Sequence, residues 1–196
     1  ELTICDGVRA RLFRISFSGE LAYEIAVPVR HGDALVRRLM DAGEEFGVVP
    51  YGLEALNVLR IEKGHVTANE LNGMTTADHI GLGKMVSSKK DSIGLVLSGR
   101  DAMVGPNAPA LVGIQPVDET QKFVAGSHFV KSGAEVLAAN DEGYMTSVCY
   151  SPILGHTIGL GLLKRGAERM GETVRAVSPL TDADVEVEIV SAHFVD

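Results

Sequence analysis

Cysteine is scarce in this chain. The two present, Cys5 and Cys149, form no CxxC pair, which excludes a disulfide framework and a thioredoxin-like motif. Both read as buried free thiols in a reducing compartment, so a cytoplasmic protein is expected. Long apolar runs are missing too. No stretch reaches the about 18 apolar residues of a membrane-spanning helix, and no basic-plus-apolar leader opens the chain. Basic charge is in deficit: 18 Lys and Arg stand against 26 Asp and Glu, a net charge of -8. That speaks against broad nucleic-acid binding, which needs a basic surface, and leaves room for a local basic pocket. The six histidines (His31, His65, His79, His128, His156 and His193) show neither HxH nor HxxxH spacing, so no metal centre is expected. Gly81-x-Gly83 and Gly159-x-Gly161 lack the third glycine of a dinucleotide fingerprint, and no P-loop lysine follows a glycine loop. They read as turn and barrel glycines. There is no GxSxG elbow and no cysteine in an activating context.

What remains is an ordinary globular composition, 45% hydrophobic and 22% charged over 196 residues, enough for one or two domains with a core. The most informative stretch is Arg14-Ile-Ser-Phe-Ser-Gly-Glu-Leu-Ala-Tyr-Glu-Ile25. Leu12, Arg14, Ser16 and Ser18 alternate with Phe13, Ile15 and Phe17. Gly19 breaks the pattern, and Leu21, Tyr23 and Ile25 resume it. A hairpin or tight strand turn follows, with Leu2–Cys5 as a short partner strand ahead of Asp6-Gly7. Residues 32–46 read as an amphipathic helix ended by Gly47, and residues 52–62 as a second helix capped by Gly64. Residues 63–92 read as a long ordered loop. From about Ala110, seven short apolar runs recur between turn residues (110–114, 127–130, 134–137, 142–151, 157–163, 173–177 and 185–190), the signature of a small barrel or sandwich. The chain is therefore expected to be α+β, with domains at 1–106 and 107–196 divided near Gly105-Pro106-Asn107. It opens at Glu1, not Met, and is expected to be a fragment or a processed chain.

Two charged residues stand in apolar surroundings. Glu24, between Tyr23 and Ile25, would lie in a sheet interior, where a bare carboxylate is costly and needs a partner. It is either paired structurally, exposed, or used for a ligand. Arg60, between Leu59 and Ile61, is a solvated helix residue, half of an internal salt bridge, or an anchor for an anionic ligand.

Together these residues resemble a known family. Arg14–Ile25 is similar to the motif R-x-G-Y-T-G-E-x-G-Y/F-E-I of the glycine-cleavage T-protein (aminomethyltransferase) family. Gly52-Leu-Glu-Ala-Leu-Asn-Val-Leu-Arg-Ile-Glu-Lys-Gly64 is similar to its A-R-D-x-L-R-L-E-A-G helix, and Thr76-Ala-Asp-His-Ile-Gly-Leu-Gly83 to its P-x-E-A-x-L-G segment. Gly155-His-Thr-Ile-Gly-Leu-Gly161 and Gly171-Glu-Thr-Val174 resemble its C-terminal barrel. Leu160-Gly-Leu-Leu-Lys-Arg-Gly166, Arg169-x-Gly171-Glu-Thr173 and Val190-Ser-x-His193-Phe194 bring the likeness closer to the C-terminal part of sarcosine oxidase alpha subunits.

The resemblance implies the C-terminal portion of an aminomethyltransferase-like fold: an incomplete α+β folate-binding subdomain followed by a small antiparallel β-barrel. It implies tetrahydrofolate as cofactor and, in the complete complex, FAD, FMN and NAD bound outside this segment. It also implies the other subunits of a hetero-oligomeric sarcosine oxidase as partners. The reaction would turn sarcosine into glycine and 5,10-methylenetetrahydrofolate. The alternatives are a glycine-cleavage aminomethyltransferase, a dimethylglycine oxidase, a folate-dependent demethylase, or an assembly domain with a decayed site. Residue by residue, Glu24 matches the pterin-binding glutamate and Arg60 a folate-binding arginine. Phe17 takes the place of a pocket tyrosine without its hydroxyl, and Ser16 and Ser18 replace a glycine and a threonine. The family's key aspartate lies upstream of the first motif, and only 13 residues precede Arg14. No catalytic residue is therefore expected in this chain, which should be inactive alone and expose apolar surface.

Overall fold

The computed structural model describes residues 2–4, 6–87 and 89–195, with Leu2 in backbone only. The thiol expectation for Cys5 lies outside the described residues. The fold is α+β and ends in a closed antiparallel barrel. It divides into two compact units, residues up to Leu59 and residues from Arg60 onward.

The first unit holds a three-stranded antiparallel sheet in the order β1 (Leu2–Ile4), β2 (Val8–Phe13), β3 (Glu24–Ala26). The turn from β1 to β2 uses Asp6 and Gly7, both at positive φ. The second and third strands are shorter than the alternation predicts. Ser16 Oγ accepts from Gly19 N–H at 2.7 Å, and Gly19 sits at φ 96. A serine closing its own turn in this way competes with the strand ladder, so residues 14–23 bend away. Helix α1 (Gly32–Gly43) follows, tightened by a 3-10 turn at Glu44–Phe46 and stopped by left-handed Gly47, as the residue pattern predicts. Its apolar stripe, with Val36, Leu39 and Met40, stays open to solvent, as do Leu12, Phe13 and Ile15 of the sheet region. Among the described residues of this unit, Ala10 is the one buried apolar side chain.

Helix α2 (Leu53–Glu62) ends in the second unit, where its last three residues, Arg60, Ile61 and Glu62, are buried. A long irregular segment with two single-turn helices, α3 (Leu95–Ser98) and α4 (Asp101–Val104), then leads to the barrel. The change of texture expected near Gly105-Pro106-Asn107 falls within this unit, just ahead of β4.

The barrel comprises β4 (Pro109–Pro116), β5 (His128–Lys131), β6 (Gly143–Ser151), β7 (His156–Lys164), β8 (Thr173–Ser178) and β9 (Ala183–Val190). They close in the order β4-β7-β6-β5-β8-β9. Six of the seven runs form strands. The seventh, 134–137, does not: Ala134 N–H bonds back to Lys131 O around left-handed Gly133, and Ala134 O accepts from the Arg175 guanidinium. Val185, Val187 and Ile189 of β9 point inward, joining Val112, Ile114, Phe129, Met145 and Val174 in the core.

Strand β7 is buried along nearly its whole length. Ile158 and Leu160 face outward, where Ile61 at the end of α2 covers them together with Leu111, Cys149, Leu154, Ala192 and Phe194. The segment after β9 straps this seam, since Glu62 O accepts from the N–H groups of Phe194 and Val195. Lys63 Nζ donates to Val195 O at 3.0 Å.

The inward positions of β7 explain the Gly159-x-Gly161 pair. A Cβ on Gly161 would lie 2.7 Å from two ring carbons of Phe129, and one on Gly159 would lie 2.9 Å from Met145 Sδ. These glycines make room for the core, and no phosphate is needed to account for them. Gly161→Ala is therefore expected to cost about 1–3 kcal/mol through overpacking. Urea unfolding should show a lower midpoint at unchanged m-value.

Candidate functional site

The structure distributes the three residues singled out by sequence over both units. Glu24 and Phe17 belong to the first, Arg60 to the second.

Glu24 opens β3 opposite Phe13. It is exposed, in contrast to the sheet interior that its apolar neighbours imply. The reason is that the sheet is uncovered there: Phe13, opposite on the central strand, is 43% exposed too, so the carboxylate keeps its water. Phe17 lies in the irregular stretch between β2 and β3 with 39% of its surface exposed. A carboxylate and an aromatic face are thus both accessible in the first unit, able to accept hydrogen bonds and to pack against a flat ring.

Arg60 is 1% exposed. Of the three readings its sequence context allows, the structure displays an internal salt bridge. Its Nη1 is 3.3 Å from Glu70 Oε2 and 3.3 Å from His65 O, and its Nη2 donates to Ser147 Oγ at 2.7 Å. Glu70 is fully buried. Its Oε1 accepts from Ser147 Oγ at 2.5 Å and Thr146 Oγ1 at 2.6 Å, and its Oε2 from Thr67 N–H at 2.7 Å.

Adjacent strand residues normally point to opposite faces, yet Thr146 and Ser147 reach the same oxygen. The register of β6 against β7 shifts between Met145 and Ser147. A bulge there turns neighbouring hydroxyls to one side. Sequence reading passed over Glu70, Thr146 and Ser147. Thr67-x-x-Glu70 is the pattern of a capping box, and the Thr67 N–H to Glu70 contact reproduces half of it without a following helix. That spacing was the available signal for Glu70. The bulge that recruits Thr146 and Ser147 leaves none.

Burial alone would push the Glu70 carboxyl up. Hydrogen bonds from Ser147, Thr146 and Thr67 N–H, with the Arg60 charge, outweigh it and hold Glu70 below the ordinary glutamate range. Sealed and ionised, it lacks the access a general base needs. Glu62, at the end of α2 and also buried, accepts from Ser151 Oγ at 2.5 Å. Burial first, and then the Glu62 charge, push the nearby Cys149 thiol up to about 12. This free thiol is therefore unreactive near neutral pH.

His79, within the third motif, is buried as well. Its Nδ1 accepts from Thr76 N–H at 3.3 Å, which leaves Nε2 to donate to Met103 O at 2.8 Å. Among the described residues no group of His, Cys, Asp or Glu is arranged to hold a metal ion. None of their helices is long and apolar enough to cross a membrane.

With this geometry in place, comparison with known proteins identifies the family. The GCVT N-terminal domain model matches residues 1–90, and the glycine cleavage T-protein C-terminal barrel domain model matches residues 110–196. The chain belongs to the glycine-cleavage T-protein family. It is 47% identical over 186 residues to the sarcosine oxidase subunit alpha of Rhizobium meliloti strain 1021. That match takes in 94% of this chain and 19% of the relative. It is 31% identical over 179 residues to an aminomethyltransferase of Desulfitobacterium hafniense strain DCB-2, covering 88% of this chain and 46% of that protein. The aminomethyltransferase T structure from Bartonella henselae superposes with a TM-score of 0.77 at 23% identity. It covers 94% of this chain and 49% of that one, and at that identity it establishes the fold alone. The chain thus spans about a fifth of its sarcosine oxidase relatives and about half of the aminomethyltransferases it matches.

Glu70→Gln breaks the buried Arg60–Glu70 ion pair and is expected to cost about 3–5 kcal/mol at pH 7. Because the folded-state value of Glu70 is lowered, its contribution is present above the ordinary glutamate value of about 4.3. It is lost as pH falls through the lower folded value. Urea unfolding from pH 7 to pH 3 should therefore show a steeper acid decline for the parent than for Glu70→Gln.

Proposed function

We propose that this chain is the tetrahydrofolate-binding one-carbon transfer module of a sarcosine oxidase. The observation that carries this reading is the match to sarcosine oxidase alpha subunits along 94% of the chain. In the complete enzyme a flavin site would oxidise sarcosine to an imine. The one-carbon unit would then pass to tetrahydrofolate, yielding 5,10-methylenetetrahydrofolate and glycine.

Glu24 serves as acceptor for a pterin ring N–H together with its exocyclic amine, a pairing that suits a carboxylate. Phe17 supplies an aromatic wall. Both side chains have the exposure this requires. Arg60 serves the folate through the cluster it anchors, since its guanidinium is engaged by Glu70, Ser147 and His65 O. The group that drives transfer, an aspartate by resemblance, and the FAD, FMN and NAD sites would lie outside these residues. The proposed functional division runs 1–106 for folate binding and 107–196 for the barrel, within a multi-subunit cytoplasmic enzyme.

A second reading, a glycine-cleavage aminomethyltransferase, draws on the 31% identity to the Desulfitobacterium protein. The two part on whether sarcosine is oxidised. In the full-length subunit assembled with its partners, Glu24→Ala is expected to weaken tetrahydrofolate binding at least 10-fold by calorimetry. That corresponds to the about 1.5–3 kcal/mol of a charged hydrogen bond. The rate of sarcosine oxidation should stay at the parent level. Unchanged folate affinity would remove Glu24 from the site, and a parent complex that leaves sarcosine untouched would favour the second reading.

A further inference from the structure

The three-stranded sheet of the first unit has two unlike faces. Ile4 and Ile25 line a cavity together with Leu35 and Leu39 of α1. Val8, Ala10 and Leu12, in phase with them, share that face. The other face carries Thr3, Arg9, Arg11, Phe13, Glu24 and Ala26, and all six are exposed.

Register fixes the order of groups on this second face. Phe13 lies directly opposite Glu24, Arg11 opposite Ala26 in the next row, and Arg9 opposite Thr3 in the row beyond. At about 3.4 Å per residue, Arg11 stands roughly 7 Å and Arg9 roughly 14 Å along β2 from the Phe13–Glu24 row. Among the described residues Glu24 is the one acid on this face, and neither arginine has an ion-pair partner.

Beyond Ala26 the third strand leaves the second at Val27-Pro28, where proline has no N–H for a ladder. A cavity of about 340 Å³ opens there, lined by Arg9, Ala10, Arg11, Ala26, Val27 and Pro28, so that its two charged lining residues are both guanidinium groups. Like charges on neighbouring rows of one face repel, and a bound anion relieves that repulsion. The paired N–H groups of a guanidinium match the two oxygens of a carboxylate.

We propose that Arg9 and Arg11 bind the glutamyl carboxylates of the folate whose pterin ring Glu24 holds. Tetrahydrofolate is a rod: a pterin edge that donates hydrogen bonds, an aminobenzoyl ring, then a glutamyl end with two carboxylates. The sheet face presents the complementary series, a carboxylate with an aromatic ring beside it and then two cations on successive rows. Laid along β2 with its pterin on Glu24, the ligand passes its ring systems over Phe13 and brings its carboxylates to the cavity at Pro28. The inference rests on the folate reading of Glu24.

The test uses the full-length subunit assembled with its partners, and calorimetry with two ligands. These are tetrahydrofolate and its diamide, in which both glutamyl carboxylates are neutral. The parent is expected to bind tetrahydrofolate about 10-fold more tightly than the diamide, as charged hydrogen bonds allow. The preference should be largest at about 50 mM salt and shrink at about 500 mM, where exposed charges are screened. The double variant Arg9→Gln, Arg11→Gln should bind both ligands alike, at the parent's affinity for the diamide. Comparing two ligands on two proteins separates contact with the carboxylates from any general effect on the fold. Each single variant should lose part of the preference, and serves should the double variant not fold.

Equal affinity of the parent for the two ligands, or a double variant that keeps the parent's preference, overturns the inference alone. So does a folded double variant that no longer assembles with the partner subunits, because the two arginines then belong to an interface. A parent complex that binds neither ligand overturns the folate reading and the inference with it.

Discussion

A carboxylate sealed from water and held ionised is expensive, and the Glu70 cluster is where the second unit meets that cost. Desolvation of Glu70 is offset by two hydroxyls, a backbone N–H and the Arg60 guanidinium. These groups come from three parts of the chain: the end of α2, the turn at Thr67, and the bulge in β6, which supplies both hydroxyls. Buried side-chain polar atoms without partners are absent among the described residues, which is the condition under which such a network stabilises rather than strains. The cluster therefore fixes how the last turn of α2 and the following loop lie on the outer face of β6 and β7. The apolar seam of Ile61, Ile158 and Leu160 beside it supplies area, while the ion pair supplies a unique position.

Much of the fold was legible in sequence because local chemistry decided it. Gly47 and the left-handed turn it provides end α1 where the apolar stripe stops. The alternation of Val185, Val187 and Ile189 with Glu186 and Glu188 is a half-buried strand and nothing else. What failed to show was set by neighbours distant in sequence. Residues 134–137 have strand composition, but a turn at Gly133 and an arginine from β8 hold them out of the ladder. Glu24 looks buried beside Tyr23 and Ile25, yet the sheet is uncovered there, Phe13 and Tyr23 being exposed too, and the carboxylate stays in water. Arg60 was ambiguous by its neighbours alone, and Glu70, ten positions later, lay unnoticed in a loop. The hydroxyls that complete its shell depend on a register shift that composition does not encode.

The two units differ sharply in how they are held. The barrel buries eleven residues in one continuous apolar cluster, and its inward glycines show that side chains interdigitate to the limit of available space. The first unit buries a single small apolar side chain among its described residues and leaves aromatic and aliphatic groups in solvent. An arrangement of that kind suits residues whose business is contact. Glu24 and Phe17, the candidates for folate recognition, belong to it.

The strap after β9 also bears on how the protein is made. Gly64 lies so near Ala192 that a Cβ there would meet its carbonyl oxygen at 2.4 Å, and Lys63 is tied to a residue 132 positions downstream. Emerging from the ribosome, the end of α2 must wait with Arg60, Ile61 and Glu62 uncovered while every barrel strand is synthesised. For that interval its apolar and charged groups are a liability, and chaperones that bind exposed nascent segments have their natural opening here.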